Sequence, residues 1–151
     1  MTDEFCIVPL AERHRADWER LYADYAEFYR VTQTPEMRAT VWGWIMDPAQ
    51  EVKALVAEDA AGHALGLAHY RAFARPLLAS TGCFLDDLFV APEARGKRVG
   101  AALIEALTAL AQQRGWNVVR WITAEDNYRA RTAYDRVATR TMWITYDRKP
   151  G

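Results

Sequence analysis

The stretch Leu85-Asp86-Asp87-Leu88-Phe89-Val90-Ala91-Pro92-Glu93-Ala94-Arg95-Gly96-Lys97-Arg98-Val99-Gly100-Ala101-Ala102-Leu103-Ile104 reads as a buried strand, a glycine-bearing turn and the opening of an amphipathic helix. After Pro92 such a loop presents successive backbone N–H groups, and a helix opening near Val99 adds the unpaired amides of its first turn and its positive dipole end. An anion can be bound there mainly by main chain. Arg95, Lys97 and Arg98 add positive charge, Gly96 and Gly100 let a ligand approach the backbone, and Ala101 and Ala102 keep the first turn small. These are the physical parts of a phosphate cradle.

Residues Arg95 to Gly100 resemble the acetyl-CoA pyrophosphate signature of the GCN5-related N-acetyltransferase (GNAT) family, Q/R-x-x-G-x-G/A, with Arg95 first and Gly100 as the last small residue. Where the pattern has its first glycine this chain has Arg98, which implies either a more open loop or an extra phosphate contact. A second stretch, Asn127-Tyr128-Arg129-Ala130-Arg131-Thr132-Ala133-Tyr134, resembles the family's N-x-x-A-x-x-F-Y signature, with Ala133 in place of the usual Phe. At about 3.6 residues per turn, Asn127, Ala130 and Tyr134 fall on one helical stripe. The two signatures stand in the family's order, and the resemblance covers residues 82–146 well and the first half loosely. The Gly-Phe pair that usually follows is replaced by Arg136-Val137-Ala138-Thr139-Arg140-Thr141, which bears on the turn into the last strand.

A chain of 151 residues fits one N-acetyltransferase domain over 1–151, burying roughly two-thirds of its unfolded surface. With 19 Lys and Arg against 20 Asp and Glu, the net charge of −1 argues against a general nucleic-acid or anionic-membrane binder. Cys6 and Cys83 match no metal or redox spacing and read as reduced, buried thiols of a cytoplasmic protein. The acidic start Met1-Thr2-Asp3-Glu4 and the lack of a long apolar run predict neither a signal peptide nor an anchor.

Periodicity predicts a strand over 5–9 and a helix over 10–30 that turns inward a stripe of Trp18, Leu21, Tyr22, Tyr25, Phe28 and Tyr29. A second helix runs over 35–46, ended by Asp47-Pro48, and strands over 52–58 and 65–73 form a hairpin across a Gly-containing turn. A central strand at 83–90, a helix at 99–114 stopped by Gly115, a strand at 118–123, a helix at 127–137 and a strand at 142–146 complete the chain. The order β-α-α-β-β-β-α-β-α-β is the one the resemblance implies: an α/β fold with a mixed sheet, flanked by helices and splayed between its fourth and fifth strands.

The resemblance also implies a chemistry. Acetyl-CoA would enter the splay, its pantetheine bonding to main-chain groups along Leu88, Phe89 and Val90 and its pyrophosphate lying on Arg95, Gly96, Lys97, Arg98, Val99, Gly100 and Ala101. Asn127 would cap its helix or hold the pantetheine arm, Ala130 would leave room for that arm, and Tyr134 would protonate the departing thiolate. A main-chain N–H on the fourth strand would stabilise charge on the acetyl carbonyl oxygen. A phenol of pKa about 10 suits the role of Tyr134.

Adjacent strand residues point to opposite faces, so Asp86 and Asp87 interrupt the apolar pattern on both sides, and burying either unpaired is costly. One reading is a turn cap and an arginine pair. The other follows from likeness to the acidic strand of the diamine and polyamine acetyltransferases, where carboxylates face a cationic amine. Tyr25 and Tyr29 would then belong to the ammonium site, or else to core and solvated face. An amine of pKa about 10.4 is free in only roughly one molecule in a few thousand at pH 7, so a proton acceptor is needed. Asp86, through water, is the first candidate and His69 the second; His14 and His63 read as structural or exposed.

The resulting expectation is a cytoplasmic transferase that moves acetyl from acetyl-CoA directly to a primary amine, without a metal, on a small cationic substrate and as a possible homodimer. A protein, peptide or amino-acid acceptor is the alternative within the family. A catalytically silent CoA-binding regulatory domain is the alternative outside enzymology, and Tyr134 with an open amine pocket separates the two.

Overall fold

The computed structural model describes residues 4–151; most of the acidic start, on which the expectation of no leader rests, lies outside them. Among the described residues five strands form one sheet in the order β1-β2-β3-β4-β5. β1 (Phe5–Pro9), β2 (Lys53–Asp59), β3 (Ala64–Arg75) and β4 (Ser80–Val90) run antiparallel, and β5 (Val119–Arg120) runs parallel to β4. The helices are α1 (Arg15–Phe28), α2 (Pro35–Met46), α3 (Val99–Arg114) and α4 (Tyr128–Val137). This is the expected α/β fold, a mixed sheet flanked by helices.

Local chemistry accounts for the boundaries. Thr34 caps α2 by accepting from Met37 N at 3.2 Å, with Pro35 in the first helical position. The β2–β3 turn is closed by Asp59 Oδ1, which accepts from the amides of Ala61 and His63 at 2.9 Å each, while Gly62 takes φ +88°. Gly115, at φ +71°, ends α3. Side chains alternate along β3, so that Gly66 meets Val99 and Leu103 of α3 while His69 meets Trp18 of α1. The sheet is thereby covered on both faces. Its core joins Trp18 and Leu21 to Val56, Leu67, Leu85, Leu103 and Leu107, all fully buried.

Four expectations need correction. The first helix begins as a separate 3-10 turn, Glu12–His14, because His14 is drawn into the interior by bonds to Ala11 N and Glu58. Cys83 is buried as expected, but Cys6 is exposed on β1, the edge strand. The strand expected at 118–123 is only two residues long, and none forms at 142–146. A strand needs a neighbour's amides and carbonyls, and β5 offers too few; Met142, Trp143, Ile144 and Tyr146 are left 95, 85, 74 and 86% exposed.

The fourth correction bears on the site. His69 pairs with Asp87 and Tyr70 with Leu85, so Asp86 is an extra residue, a β-bulge in β4. Strict alternation fails there: Asp87 bonds to Tyr22 of α1, and Asp86 shares a cavity with Tyr25 and Tyr29 at the end of the same helix. The bulge brings both carboxylates to the α1 side.

Gly66 lies at a close approach of β3, β4 and α3. A Cβ there would stand 2.9 Å from Phe89 O and 3.1 Å from Val99 Cγ1. Gly66→Ala is expected to lower stability by about 1–3 kcal/mol, the scale of overpacking, read as a lower urea midpoint at unchanged slope.

Candidate active site

β4 runs through a short 3-10 turn, Pro92–Ala94, into the basic loop. Gly96 takes φ +84° and Arg98 takes φ +64°, ψ +24°. Arg98 therefore occupies, in the left-handed region, the position where the family signature has a glycine. The first intrahelical bond of α3 runs from Ala102 N to Arg98 O, so the amides of Val99, Gly100 and Ala101 precede it at the positive end of the helix. A Cβ on Gly100 would find nothing nearer than Val90 Cγ2 at 3.7 Å, which leaves the approach open. Arg95 lies with its guanidinium 5.7 Å from the centre of the Phe89 ring. Free amides, a bare glycine and three cations suit a diphosphate.

The expected splay is present. β4 and β5 pair only at Cys83 with Val119 and Phe84 with Arg120. From Leu85 to Val90, including Leu88, Phe89 and Val90, β4 keeps β3 on one side and has no strand on the other. Across the gap, Asn127 caps α4, its Oδ1 accepting from Ala130 N and its Nδ2 donating to Thr123 Oγ1, each at 3.4 Å. Asn127, Ala130 and Tyr134 are half-buried along one stripe, while Tyr128, Arg129, Thr132 and Ala133 are exposed.

The stripe leads to a cavity. Tyr134, Tyr25, Tyr29 and Asp86 line it together with Leu85, Leu88, Trp121, Ile122 and Thr123. Four residues assigned from sequence to catalysis or amine binding are thus brought together from α1, β4 and α4. Trp121 packs edge-on against Tyr134 with ring centres 5.3 Å apart. Sequence reasoning missed Trp121 and Thr123, having placed them in a longer strand; an aromatic six residues before the Asn127 cap of α4 was the available signal.

Electrostatics follow from this burial. Desolvation, with the neighbouring Tyr29, pushes the Tyr134 phenol above its ordinary pKa. The Asp86 carboxyl is likewise raised by desolvation, opposed by Arg71, whose Nε donates to its two oxygens at 3.0 and 3.3 Å. Burial and then the charge of Asp87 push Tyr22 and Tyr25 strongly upward, so both stay protonated as donors.

Asp87 lies deeper than the cavity wall. Its Oδ2 is 2.8 Å from His69 Nδ1 and accepts from Tyr22 OH at 3.1 Å. His69 Nε2 in turn accepts from Trp18 Nε1 at 2.8 Å. With one nitrogen accepting from Trp18 and the other donating to Asp87, His69 has no free lone pair, which removes it as the proton acceptor. His14 is buried against Glu58 and His63 is exposed, both away from the cavity residues.

The family model described as Acetyltransferase (GNAT) family matches residues 18–138. The chain belongs to the GNAT acetyltransferase family. Its cofactor is acetyl-CoA, and it is an acetyl-CoA-dependent N-acetyltransferase. The chain is similar to the D-amino-acid N-acetyltransferase HPA3 of Saccharomyces cerevisiae, 29% identical over 149 residues that cover 98% of this chain and 92% of that protein. In fold it resembles a ribosomal-protein-alanine N-acetyltransferase from Brucella melitensis biovar Abortus 2308, with TM-score 0.82, 23% identity and coverage of 97% and 99% of the two chains. It also resembles the aminoglycoside N-acetyltransferase AAC(6')-Iy in complex with CoA, with TM-score 0.85, 18% identity and coverage of 100% and 98%. Among the described residues no helix is long and apolar enough to cross a membrane.

The open space beside Gly100 yields a clean test of the GNAT loop. Gly100→Glu places bulk and negative charge among the amides without a clash in the fold, and is expected to abolish acetyl-CoA binding by calorimetry while leaving the thermal unfolding transition near wild type. Unchanged affinity in the folded variant would reassign the loop.

Proposed function

We propose that this acetyltransferase acts on a small cationic primary amine, and that the convergence of Tyr134, Asp86 and the α1 tyrosines on one cavity carries that reading. When bound, acetyl-CoA supplies the activated acetyl group. The basic loop and the amides of Val99, Gly100 and Ala101 hold its diphosphate, and the open edge of β4 along Leu88, Phe89 and Val90 orients its arm toward Tyr134. Holding amine and thioester together accounts for the larger part of the acceleration. Tyr25, Tyr29 and the carboxylates receive the ammonium. Asp86 takes up its proton through water, a role helped by burial raising its carboxyl above the ordinary range. Tyr134 delivers a proton to the leaving sulfur, and its raised phenol stays protonated well into alkaline solution.

An α-amino acid is the second reading, favoured by the likeness to the yeast D-amino-acid enzyme over nearly the whole chain. Thiol release from acetyl-CoA against diamines, polyamines, amino acids, aminoglycosides and lysine peptides separates the two. Highest kcat/KM on diamines or polyamines supports the first; preference for amino acids replaces it with the second.

The same proposal takes the enzyme as a cytoplasmic homodimer. The short β5 has a free outer edge, and the apolar row at Met142, Trp143, Ile144 and Tyr146 lies unpacked on every copy. A second copy therefore offers both an edge and a strand to pair with it. Sedimentation velocity should give a dimer that Trp143→Glu weakens; a wild-type monomer at micromolar concentration would remove this part of the proposal.

Tyr134→Phe keeps the ring and removes the donor, so kcat should fall by roughly 10² with little loss of stability. Asp86 loses its function when protonated, so the acid limb of kcat/KM should fall as pH drops through a carboxyl raised above its usual range. Asp86→Asn is expected to raise the amine KM and to move the rise of kcat/KM to higher pH, where more amine is already neutral. Wild-type profiles in both variants would count against these roles.

A further inference from the structure

His69 is 1% exposed and bridges α1 to β4, yet the reaction just described leaves it idle. An indole N–H can only donate, so the bond from Trp18 requires a lone pair on His69 Nε2 and puts the neutral ring's proton on Nδ1. That proton is given to Asp87 Oδ2, which also accepts from Tyr22. Both bonds fall on Oδ2; neither uses Oδ1.

Asp86 and Asp87 differ in how their charge is met. Asp86 is paired with the Arg71 guanidinium, whereas Asp87 is met by uncharged donors, His69 and the hydroxyls of Tyr22 and Tyr25. A charge held by neutral donors in a partly desolvated place stays available to a cation. We infer that Trp18 and His69 are positioning residues for the acceptor: Trp18 locks the His69 tautomer, His69 and Tyr22 orient Asp87, and Asp87 sets behind the cavity-lining Tyr25 the negative charge that attracts the substrate ammonium.

The inference rests on the amine-acetyltransferase reading and extends it two residues further from the cleft. A proton on Nε2 in place of Nδ1 would set a donor against the Trp18 N–H and turn a bare Nδ1 lone pair toward Asp87. The groups facing His69 are Trp18 and the edge-on Tyr22 ring, 4.6 Å away, from α1, and Asp87 with the nearby charge of Asp86 from β4. Arg71 lies two residues along β3, bound to Asp86, and the β2 neighbour is Ala54. Removing the indole donor therefore leaves nothing to hold the tautomer, and Asp87 loses a fixed hydrogen bond.

The test uses Trp18→Phe, His69→Gln and His69→Leu in the full chain, with the best acceptor from the panel above and ¹⁵N NMR of the histidine ring. The wild type should show the Nδ1–H tautomer. In Trp18→Phe the ring loses the donor that fixes its tautomer, so the amine KM should rise about tenfold while the KM for acetyl-CoA stays flat. Gln carries a donor and an acceptor on one amide, so His69→Gln should hold the amine KM within about threefold of wild type. His69→Leu should raise it about tenfold at every pH, as expected for a lost bond to a charged group.

An Nε2–H tautomer in the wild type, or an amine KM in Trp18→Phe equal to that of the wild type, would overturn the inference. So would equal amine kinetics in the Gln and Leu variants. If no amine in the panel is acetylated, the functional reading fails by itself, and the tautomer spectra of the wild type and Trp18→Phe still decide whether the lock exists.

Discussion

Two rungs, Cys83 to Val119 and Phe84 to Arg120, are all that join β4 to β5. The bulge at Asp86 follows directly, and a bulged strand twists more sharply than a regular parallel neighbour can follow. Pairing therefore ends where the bulge begins. Beyond it, β4 runs to Val90 with one edge unpaired, a place where backbone amides and carbonyls can be met by the peptide-like arm of a ligand. The same strand feeds the phosphate loop and α3, so a single irregularity aligns the arm, the diphosphate and the acceptor carboxylates along one element. Gly66 and the α3 face clamp that element from behind.

Polarity in the cleft is arranged by burial. Phenols at Tyr22, Tyr25 and Tyr134 are all pushed toward the neutral form, so they act as fixed donors instead of competing anions. Negative charge is left to Asp86 and Asp87, one balanced by a guanidinium and the other cradled by hydrogen bonds. Desolvation thus divides the ionisable groups into donors and acceptors in a cavity a few residues wide.

The strand, loop and helix from Leu85 to Ile104 were legible because their signals are local: an apolar run, a proline, two glycines and a 3.6-residue period all lie within twenty positions. The stripe of Asn127, Ala130 and Tyr134 was legible for the same reason. What escaped depends on partners distant in the chain. A bulge cannot be read from β4 alone, because it exists only in register with His69 and Tyr70, and so the faces of Asp86 and Asp87 were misjudged. The strand at 142–146 has the right residues but lacks a neighbour long enough to pair with. Trp18 reads as core from its spacing, and it is core; its N–H bond to His69, 51 positions away, is invisible without coordinates.

Arg98 enters α3 in a left-handed conformation that costs a side-chain-bearing residue about 1 kcal/mol or more. That energy is taken from the folded state before any ligand arrives. The amides that follow are therefore already aimed, and a diphosphate need not organise them on contact. Such a loop exchanges a small loss of resistance to unfolding for tighter binding, since less ordering remains to be done on contact. The choice of side chain at position 98 is correspondingly narrow: glycine, asparagine or a straight-chain residue can enter the helix this way, whereas a β-branched one would have to undo the turn.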